Sequence, residues 1–421
     1  RRWVSEPQQL RCDVLIAGAG PSGSDLARRL AEAGQSVLLI DSLSDLRQAA
    51  FSSAALPMSA VERHGLPEDV VAARWHSWLL LGPDADRREW CGALDASQAR
   101  QSTELQPLGA VLDFGALRQW LVERAAQAGA TVQLGWRAER LDPEQDGHGG
   151  AIAVLRGPGG ERRLVRSRFV VDATGQARAL LGDPSDATDP LVSGSGVEWL
   201  LQVDAARWQA WAERLTFLMG SDWVPQGYGW LFPMQRGLLK LGVCRLEDHR
   251  RHQPPLITLQ QQLLTRLLGA ELADSTVIDR HGGLIRSCIC RRDVHRRGRL
   301  IALGDAVSTA NLLGGEGIRH AMTSSRVLAP LLLQVLDGGA PDGLEAYPAQ
   351  LRRRLGPRWS LSGRLARRTW LGLRDRVADG RLTALLRGLE GCSAEDLSAL
   401  LFDYRFERYG LRAVPYLLGM R

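Results

Sequence analysis

The chain has 421 residues, room for about two to three domains. Hydrophobic residues make up 45% and charged residues 24%, an ordinary globular balance, and no apolar run approaches the roughly 20 residues needed to cross a bilayer. The formal charge is +6, but residues 345–421 hold fifteen arginines against eight acids, so the tail carries the whole excess and the near-neutral body argues against a nucleic-acid groove.

Cys12 to Ala17 is a short apolar run of β type. Gly18-Ala19-Gly20-Pro21-Ser22-Gly23 breaks it, and Leu26, Ala27, Leu30 and Ala31 then recur at helical spacing up to Gly34, placed as a helix stop. Val37 to Ile40 is the next buried strand and ends in Asp41, which completes a βαβ unit of about thirty residues. Residues 42–75 read as loop and short helices. Residues 76–106 alternate weakly and suggest strands of a second sheet. Leu112 to Gly129 reads as a helix with Leu117, Leu121, Val122 and Ala125 on its apolar face. Thr131 to Leu134 is a strand. Residues 151–171 form a hairpin that turns at Gly157-Pro158-Gly159-Gly160 and ends in Asp172.

Residues 190–290 carry short strands, interrupted by a helix near Leu256–Leu268, and are assigned to an antiparallel sheet that forms a lid or substrate domain. Leu300 to Leu303 is a further buried strand ending in Gly304-Asp305, and a long helix follows from Gly317. From about Leu351 the pattern is helical and rich in Arg. The expected fold is α/β: a Rossmann-type dinucleotide domain (12–75, 107–185 and 291–345), an antiparallel-sheet substrate domain (76–106 and 186–290) and a C-terminal helical region (346–421). The cysteines are scattered with no CxxC pair, so neither a zinc site nor a disulfide framework is expected. No secretory signal is visible behind Arg1-Arg2-Trp3-Val4, and a reducing, cytoplasmic setting is expected.

The glycine turn carries the first chemistry. Gly18 permits the tight turn, Gly20 lets a diphosphate approach the backbone, and Gly23 lets helix and strand pack closely. Pro21 and Ser22 open the helix, whose N-terminus offers free N–H groups to phosphate. Asp41, at the end of the next strand, is placed to accept hydrogen bonds from an adenosine ribose. This turn alone does not separate NAD from FAD.

Far downstream stand Gly304-Asp305-Ala306 and Asn311-Leu312-Leu313-Gly314-Gly315-Glu316-Gly317-Ile318. With these the chain resembles the flavoprotein superfamily of aromatic hydroxylases, geranylgeranyl reductases and lycopene cyclases. The resemblance implies FAD. Asp305, after Gly304, would bind its ribityl chain, and Gly314, Gly315 and Gly317 would bring backbone amides to the flavin pyrimidine edge, where a helix N-terminus favours an anion. Asp172-Ala173-Thr174-Gly175 is similar to the strand-end segment that closes over the dinucleotide, which implies a cofactor role for Gly175. Aromatic hydroxylases carry Asp-Gly here, so the departure weakens direct NAD(P)H use and leaves NADPH as one candidate electron donor. Arg118 matches a helix Arg that contacts the FAD phosphates in this superfamily. No second GxGxxG follows a strand, which disfavours an enzyme with its own NADPH domain.

Gly227-Tyr228-Gly229-Trp230-Leu231-Phe232-Pro233 is similar to a segment of geranylgeranyl reductase-like proteins. In a strand, Tyr228, Trp230 and Phe232 share one face and would wall an apolar pocket that suits a long hydrocarbon. Flavin halogenases carry a similar segment but need a Lys in the N-terminal half; the single lysine here is Lys240, read as compositional bias. Phe51-Ser52-Ser53 occupies the place of a Cys-Gly segment in many geranylgeranyl reductases, which makes Ser53 a candidate near the flavin. Glu316, His281, His320 and Arg319 are further polar candidates.

The favoured function is reduction of C=C bonds in a hydrophobic isoprenoid or lipid, with hydride from reduced FAD. The alternatives are a hydroxylating monooxygenase, a redox-neutral cyclase and a non-enzymatic flavin-binding assembly protein. Two readings of the tail stand side by side. Arg352-Arg353-Arg354, Trp359, Arg364, Arg367-Arg368 and Trp370 would form either an interfacial basic-aromatic helix, peripheral on an anionic membrane, or a helical layer with a solvated Arg face.

Overall fold

The structure, a computed structural model, describes residues 9–48, 52–94, 105–143, 150–269 and 276–413. The chain opens with β1 (Gln9–Ala17), α1 (Pro21–Glu32) and β2 (Val37–Asp41). Val14–Ala17 and Val37–Ile40 are buried without alternation, the pattern of parallel strands covered on both faces. Pro21 suits the first helical turn because its missing N–H would have no partner there. Beyond the helix, Gly34 takes a φ of +82°.

β3 (Ala55–Pro57), α2 (Met58–His64) and β4 (Val71–Trp75) come next, followed by β5 (Ser77–Leu81), β6 (Arg87–Cys91) and β7 (Gly109–Leu112). The segment expected to hold only loop and short helices therefore contains two strands, and β7 pairs with both of them. Three to five residues are too few to leave a readable alternation. Leu112 ends β7 instead of opening a helix. Asp113 caps α3 (Phe114–Gln127), its carboxylate accepting the N–H of Ala116 at 2.9 Å.

β8 (Thr131–Leu134), β9 (Arg137–Pro143), β10 (Ala151–Arg156) and β11 (Arg162–Asp172) complete most of the first sheet. The second is built from β12 (Leu191–Gln202), β13 (Arg214–Leu218), β14 (Gly227–Pro233), β15 (Leu238–Leu246) and β16 (Val277–Cys288), with helices α4 (Ala205–Trp211) and α5 (Leu256–Leu268) between them. After β17 (Arg296–Arg297) and β18 (Leu300–Ala302) the chain is helical: α6 (Ile318–Leu336), α7 (Tyr347–Leu355), α8 (Trp359–Gly372), α9 (Arg376–Gly388) and α10 (Ala394–Phe402).

The first sheet runs β17-β18-β11-β1-β2-β8, and its members from β18 to β8 are parallel. β18 thereby lies two strands from β1, although almost three hundred residues separate them in sequence. The second sheet runs β16-β12-β15-β14-β13-β5-β6. It was expected to be antiparallel, and it is except at one place: β13 pairs with β5 in parallel. Those two strands come from distant parts of the chain, so no hairpin dictates their direction.

Leu26 and Leu30 of α1 pack with Ile16, Phe169 and Leu328 in the core of the first sheet. α7 joins that core through Tyr347 and Leu351. One face of the second sheet is covered by α5. The other carries Tyr228, Trp230 and Phe232 against Trp370 of α8 and Leu386 of α9. Trp359 and Trp370 are buried, while Arg352–Arg354, Arg364 and Arg367 are exposed. The tail is thus a helical layer with its tryptophans inward, which takes both rings away from any membrane interface.

Candidate functional site

The turn between β1 and α1 is set by backbone crowding. Gly18 has a φ of +111°, and a Cβ on it would run into the carbonyl of Ala173; a Cβ on Gly23 would meet the carbonyl of Gly18. Gly20 differs. Among the described residues nothing lies within 4 Å of where its Cβ would be, and no side chain caps α1. The first N–H groups of α1 are left without a side-chain cap, the arrangement that receives a phosphate. Asp41 holds the turn from the side: Oδ2 accepts the N–H of Ala19 at 2.7 Å and Oδ1 that of Leu43 at 2.9 Å.

The downstream motif folds against this turn. Gly304 has a φ of +63° and sits against the Ser22 side chain. Its N–H donates to Ser324 Oγ at 3.0 Å. Asp305 is next; Thr309 donates to its Oδ1 at 2.8 Å, and burial pushes its carboxyl up from the usual range. Pro21, Phe114, Asp305, Gly314, Gly315 and Gly317 line one cavity of about 1150 Å³, its open mouth included. Gly317 is the N-cap of α6, again with no side chain on it.

Two further expected residues do not line this cavity: Arg118 lies behind Phe114, which does, and Gly175 is not among its lining residues. Arg118 is buried beside the Phe114 ring at 5.2 Å and donates from Nη2 to the carbonyl of Gln48 at 2.6 Å. Its Nε is buried with no hydrogen-bond partner among the described residues. Gly175 has a φ of +71° and open space beside it. The loop that carries it is tied down by Asp172, which sequence reasoning had treated only as part of a motif. Its carboxylate accepts from Thr174 N and Oγ1, Leu180 N and Leu181 N at 2.6–3.0 Å.

These features fit FAD. Two helix N-termini have no side-chain cap, a buried guanidinium nitrogen has no partner among the described residues, and three glycines (Gly20, Gly175, Gly314) have open space beside them; of these, Gly314 and the Gly317 N-cap line the cavity itself. Helix N-termini of this kind favour a diphosphate or an electron-rich ring edge.

A second cavity of about 1590 Å³, again with its mouth, adjoins the first. Tyr228, Trp230 and Phe232 form one wall as the strand alternation required, with ring centroids 6.1 and 6.4 Å apart. The Trp370 ring lies 4.9 Å from that of Tyr228, tilted by 43°, and Leu386 and Phe402 of the last helices also line the cavity. The Tyr228 hydroxyl lies 3.1 Å from where a Gly315 Cβ would stand, so the aromatic wall abuts the glycine turn. Ser52 and Ser53 line both cavities; Phe51 lies outside the described residues.

Glu316 lines the apolar cavity, but its carboxylate is engaged by Arg319 Nη2 at 2.9 Å, Tyr404 Oη at 3.2 Å and His320 Nε2 at 3.3 Å. Burial pushes it up, yet Arg319 and His320 prevail and hold it down at about 2. At neutral pH it is a fixed anion with no proton to give. His281 belongs elsewhere, on β16, bonded to Asp279 at 2.9 Å. Sequence reasoning missed the contribution of Trp78 and Phe217 to the cavity wall, and it dismissed Lys240, which is buried behind Ser52 and donates to its carbonyl at 2.8 Å. The signal for Lys240 was present: it is the one lysine in a chain with 53 Lys and Arg.

Comparison with known proteins points to the same cofactor. A family model described as an FAD binding domain matches residues 11–356. The chain is 28% identical over 339 residues to digeranylgeranylglycerophospholipid reductase of Haloferax volcanii, covering 75% of this chain and 74% of that protein. It is 27% identical over 371 residues to menaquinone reductase of Mycolicibacterium smegmatis, with 85% and 84% covered. Among solved structures, a geranylgeranyl bacteriochlorophyll reductase-like protein from Thermoplasma acidophilum shares the fold with a TM-score of 0.78 at 19% identity, over 98% of this chain and 100% of that one. A p-nitrophenol 4-monooxygenase from Pseudomonas putida does so with a TM-score of 0.67 at 19% identity, over 96% and 99%. The chain belongs to the FAD-binding-domain family and is an FAD-dependent oxidoreductase of the geranylgeranyl reductase-like type.

Proposed function

We propose that this protein reduces C=C bonds in the chain of a hydrophobic isoprenoid or lipid. The observation that carries the reading is the aromatic and aliphatic cavity of about 1590 Å³ that ends on Gly314, Gly315 and Gly317. Its wall is almost wholly of Trp, Phe, Leu and other apolar side chains, which suits an alkyl chain that buries most of its surface. The names of the reductases to which the chain is similar point the same way.

In this reading the ADP half of FAD lies on Gly18, Gly20, Pro21, Ser22 and Gly23, with Asp41 on the ribose and Arg118 on the diphosphate. Asp305 takes the ribityl chain, Gly175 closes over it, and Gly314, Gly315 and Gly317 meet the pyrimidine edge. The reduced cofactor supplies hydride. Tyr228, Trp230 and Phe232 hold the alkene in place and exclude water, which is the protein's share of such chemistry. The exposed arginines of α7 and α8 would let the protein rest peripherally on an anionic membrane where a lipid substrate resides.

The test is anaerobic incubation with a geranylgeranyl-bearing glycerophospholipid, using dithionite and NADPH as alternative reductants, followed by mass spectrometry. Gain of two hydrogens per double bond is expected. Gain of one oxygen in air would point to hydroxylation, an isomer of unchanged mass to cyclisation, and no turnover of any isoprenoid would overturn the reading.

A further inference from the structure

A third cavity, of about 820 Å³ with its mouth, shares no lining residue with the flavin cavity or the apolar one. It is bounded by the segment between β16 and β17, by α7 and by the start of α8. Three arginines line it, Arg291, Arg352 and Arg353, and no acidic side chain does. α8 opens here: its first two residues, Trp359 and Ser360, are on the wall, and no side chain caps its N-terminus.

Arg291 is the buried member, 3% exposed. Its Nε donates to the carbonyl of Ser308 at 3.3 Å, and Nη2 donates to the carbonyl of Val307 at 2.7 Å and to His295 Nε2 at 3.1 Å. Nη1 has no hydrogen-bond partner among the described residues. His295 is held neutral, its value down at about 4, by burial first and by Arg291 second. The acids nearby are engaged elsewhere. Asp293 pairs with Arg178 at 3.1 Å, and Glu345 with Arg296 at 3.0 Å. Asp189 accepts the backbone N–H groups of Cys290 and Arg292 at 2.9 and 3.0 Å. Among the described residues, none of the three arginines has a carboxylate within salt-bridge distance.

A guanidinium keeps its proton in proteins, so Arg291 is a buried cation held by neutral acceptors. Backbone carbonyls satisfy its N–H groups and leave its charge unbalanced, which is costly in the interior. Burial pushes Arg291 down from its ordinary value; Asp293 opposes the push and Arg352 adds to it. Three cations thus converge beside the positive end of a 14-residue helix, without a counter-ion. We propose that this cavity binds a phosphate group, either free or carried by a lipid headgroup, on Arg291, Arg352, Arg353 and the N-terminus of α8. Guanidinium forks match phosphate oxygens in pairs, and a helix N-terminus adds donors and partial positive charge. The site is distinct from the diphosphate-binding turn at Gly20 and does not depend on the reductase reading.

The experiment uses the flavin-loaded protein, in which FAD fills the turn at α1. Isothermal titration with inorganic phosphate is compared with co-sedimentation on phosphatidylcholine vesicles that contain phosphatidic acid. Arg352→Gln and Arg353→Gln, both at exposed positions, should each weaken binding by about tenfold, the scale of one charged hydrogen bond. Arg354→Gln removes the same charge from the next residue of α7, which does not line the cavity, and should leave binding unchanged. Arg291→Gln, provided it retains flavin, should abolish binding; if it fails to fold, the exposed variants still decide. Saturation by inorganic phosphate assigns a soluble phosphate to the site. Binding to the vesicles alone, with the same pattern among the variants, assigns a lipid headgroup. If neither probe saturates, or if Arg354→Gln weakens binding as much as its neighbours do, the arginines form a diffuse charged face and the proposal falls.

Discussion

Gly304 lies so close to Ser22 that a Cβ on it would overlap the serine side chain. The two residues belong to motifs at opposite ends of the dinucleotide domain, and their contact is what places Asp305 beside the N-terminus of α1. Gly304 also holds a φ of +63°, a left-handed conformation that residues other than Gly adopt only at a cost of roughly 1–3 kcal/mol. Gly304→Ala should therefore fold with reduced stability and lose most of its flavin. The ratio of flavin to protein absorbance after purification reads this directly, and full occupancy would contradict the packing argument.

Arg118 makes a different prediction, because its buried Nε has no partner among the described residues. Arg118→Met keeps the apolar stem against Phe114 and removes the charge. Flavin affinity should fall by about tenfold, roughly 1.4 kcal/mol. Fluorescence titration of the apoprotein with FAD measures it. An unchanged affinity would leave Arg118 with a structural role only.

The Asp172 carboxylate is a buried hub for four donors on the loop that carries Gly175. Asp172→Asn turns one acceptor into a donor that faces N–H groups. A loss on the order of 2–4 kcal/mol is expected, since charged buried acceptors are costly to remove. Urea unfolding followed by tryptophan fluorescence gives the value.

Glu316 predicts a pH dependence. Its folded value is held at about 2, below its ordinary 4.5. A carboxylate depressed in this way adds stability above its unfolded value and loses it as pH falls through the folded one. The margin of wild type over Glu316→Gln should be constant near neutrality and shrink from pH 4.5 towards about 2. Urea midpoints of both proteins across that range decide it; a margin independent of pH would show that the ion pair with Arg319 is not what holds Glu316.

The outward arginines of the tail predict binding to anionic surfaces. Co-sedimentation with phosphatidylglycerol vesicles should exceed that with phosphatidylcholine and weaken with salt, since each surface arginine contributes about 1 kcal/mol. Charge reversal at Arg352, Arg353, Arg364 and Arg367 should abolish it. Equal binding to both lipids would remove the peripheral-membrane proposal.

Much of this was legible before any coordinates. The strand, glycine turn, helix and strand ending in Asp41 follow from local chemistry: a continuous apolar run, glycines where the backbone crowds, and Pro21 at the first helical position. The common face of Tyr228, Trp230 and Phe232 follows from the two-residue period of a strand. The short strands β3, β4 and β7 left no such period, and the helix expected from Leu112 was shifted because Asp113, a good cap, marks the true start.

Patterns along the chain determined the cofactor turn, the strand alternation and the family to which this protein belongs, because those depend on neighbours a few residues apart. Only the tertiary structure decided that Gly304 meets Ser22, that Trp370 turns inward to face Tyr228, that Tyr404 donates to Glu316, and that the lone lysine lies behind Ser52. Each of these contacts joins residues on different elements, and nothing in the local sequence encodes which distant side chain will arrive; packing of the sheets and helices does.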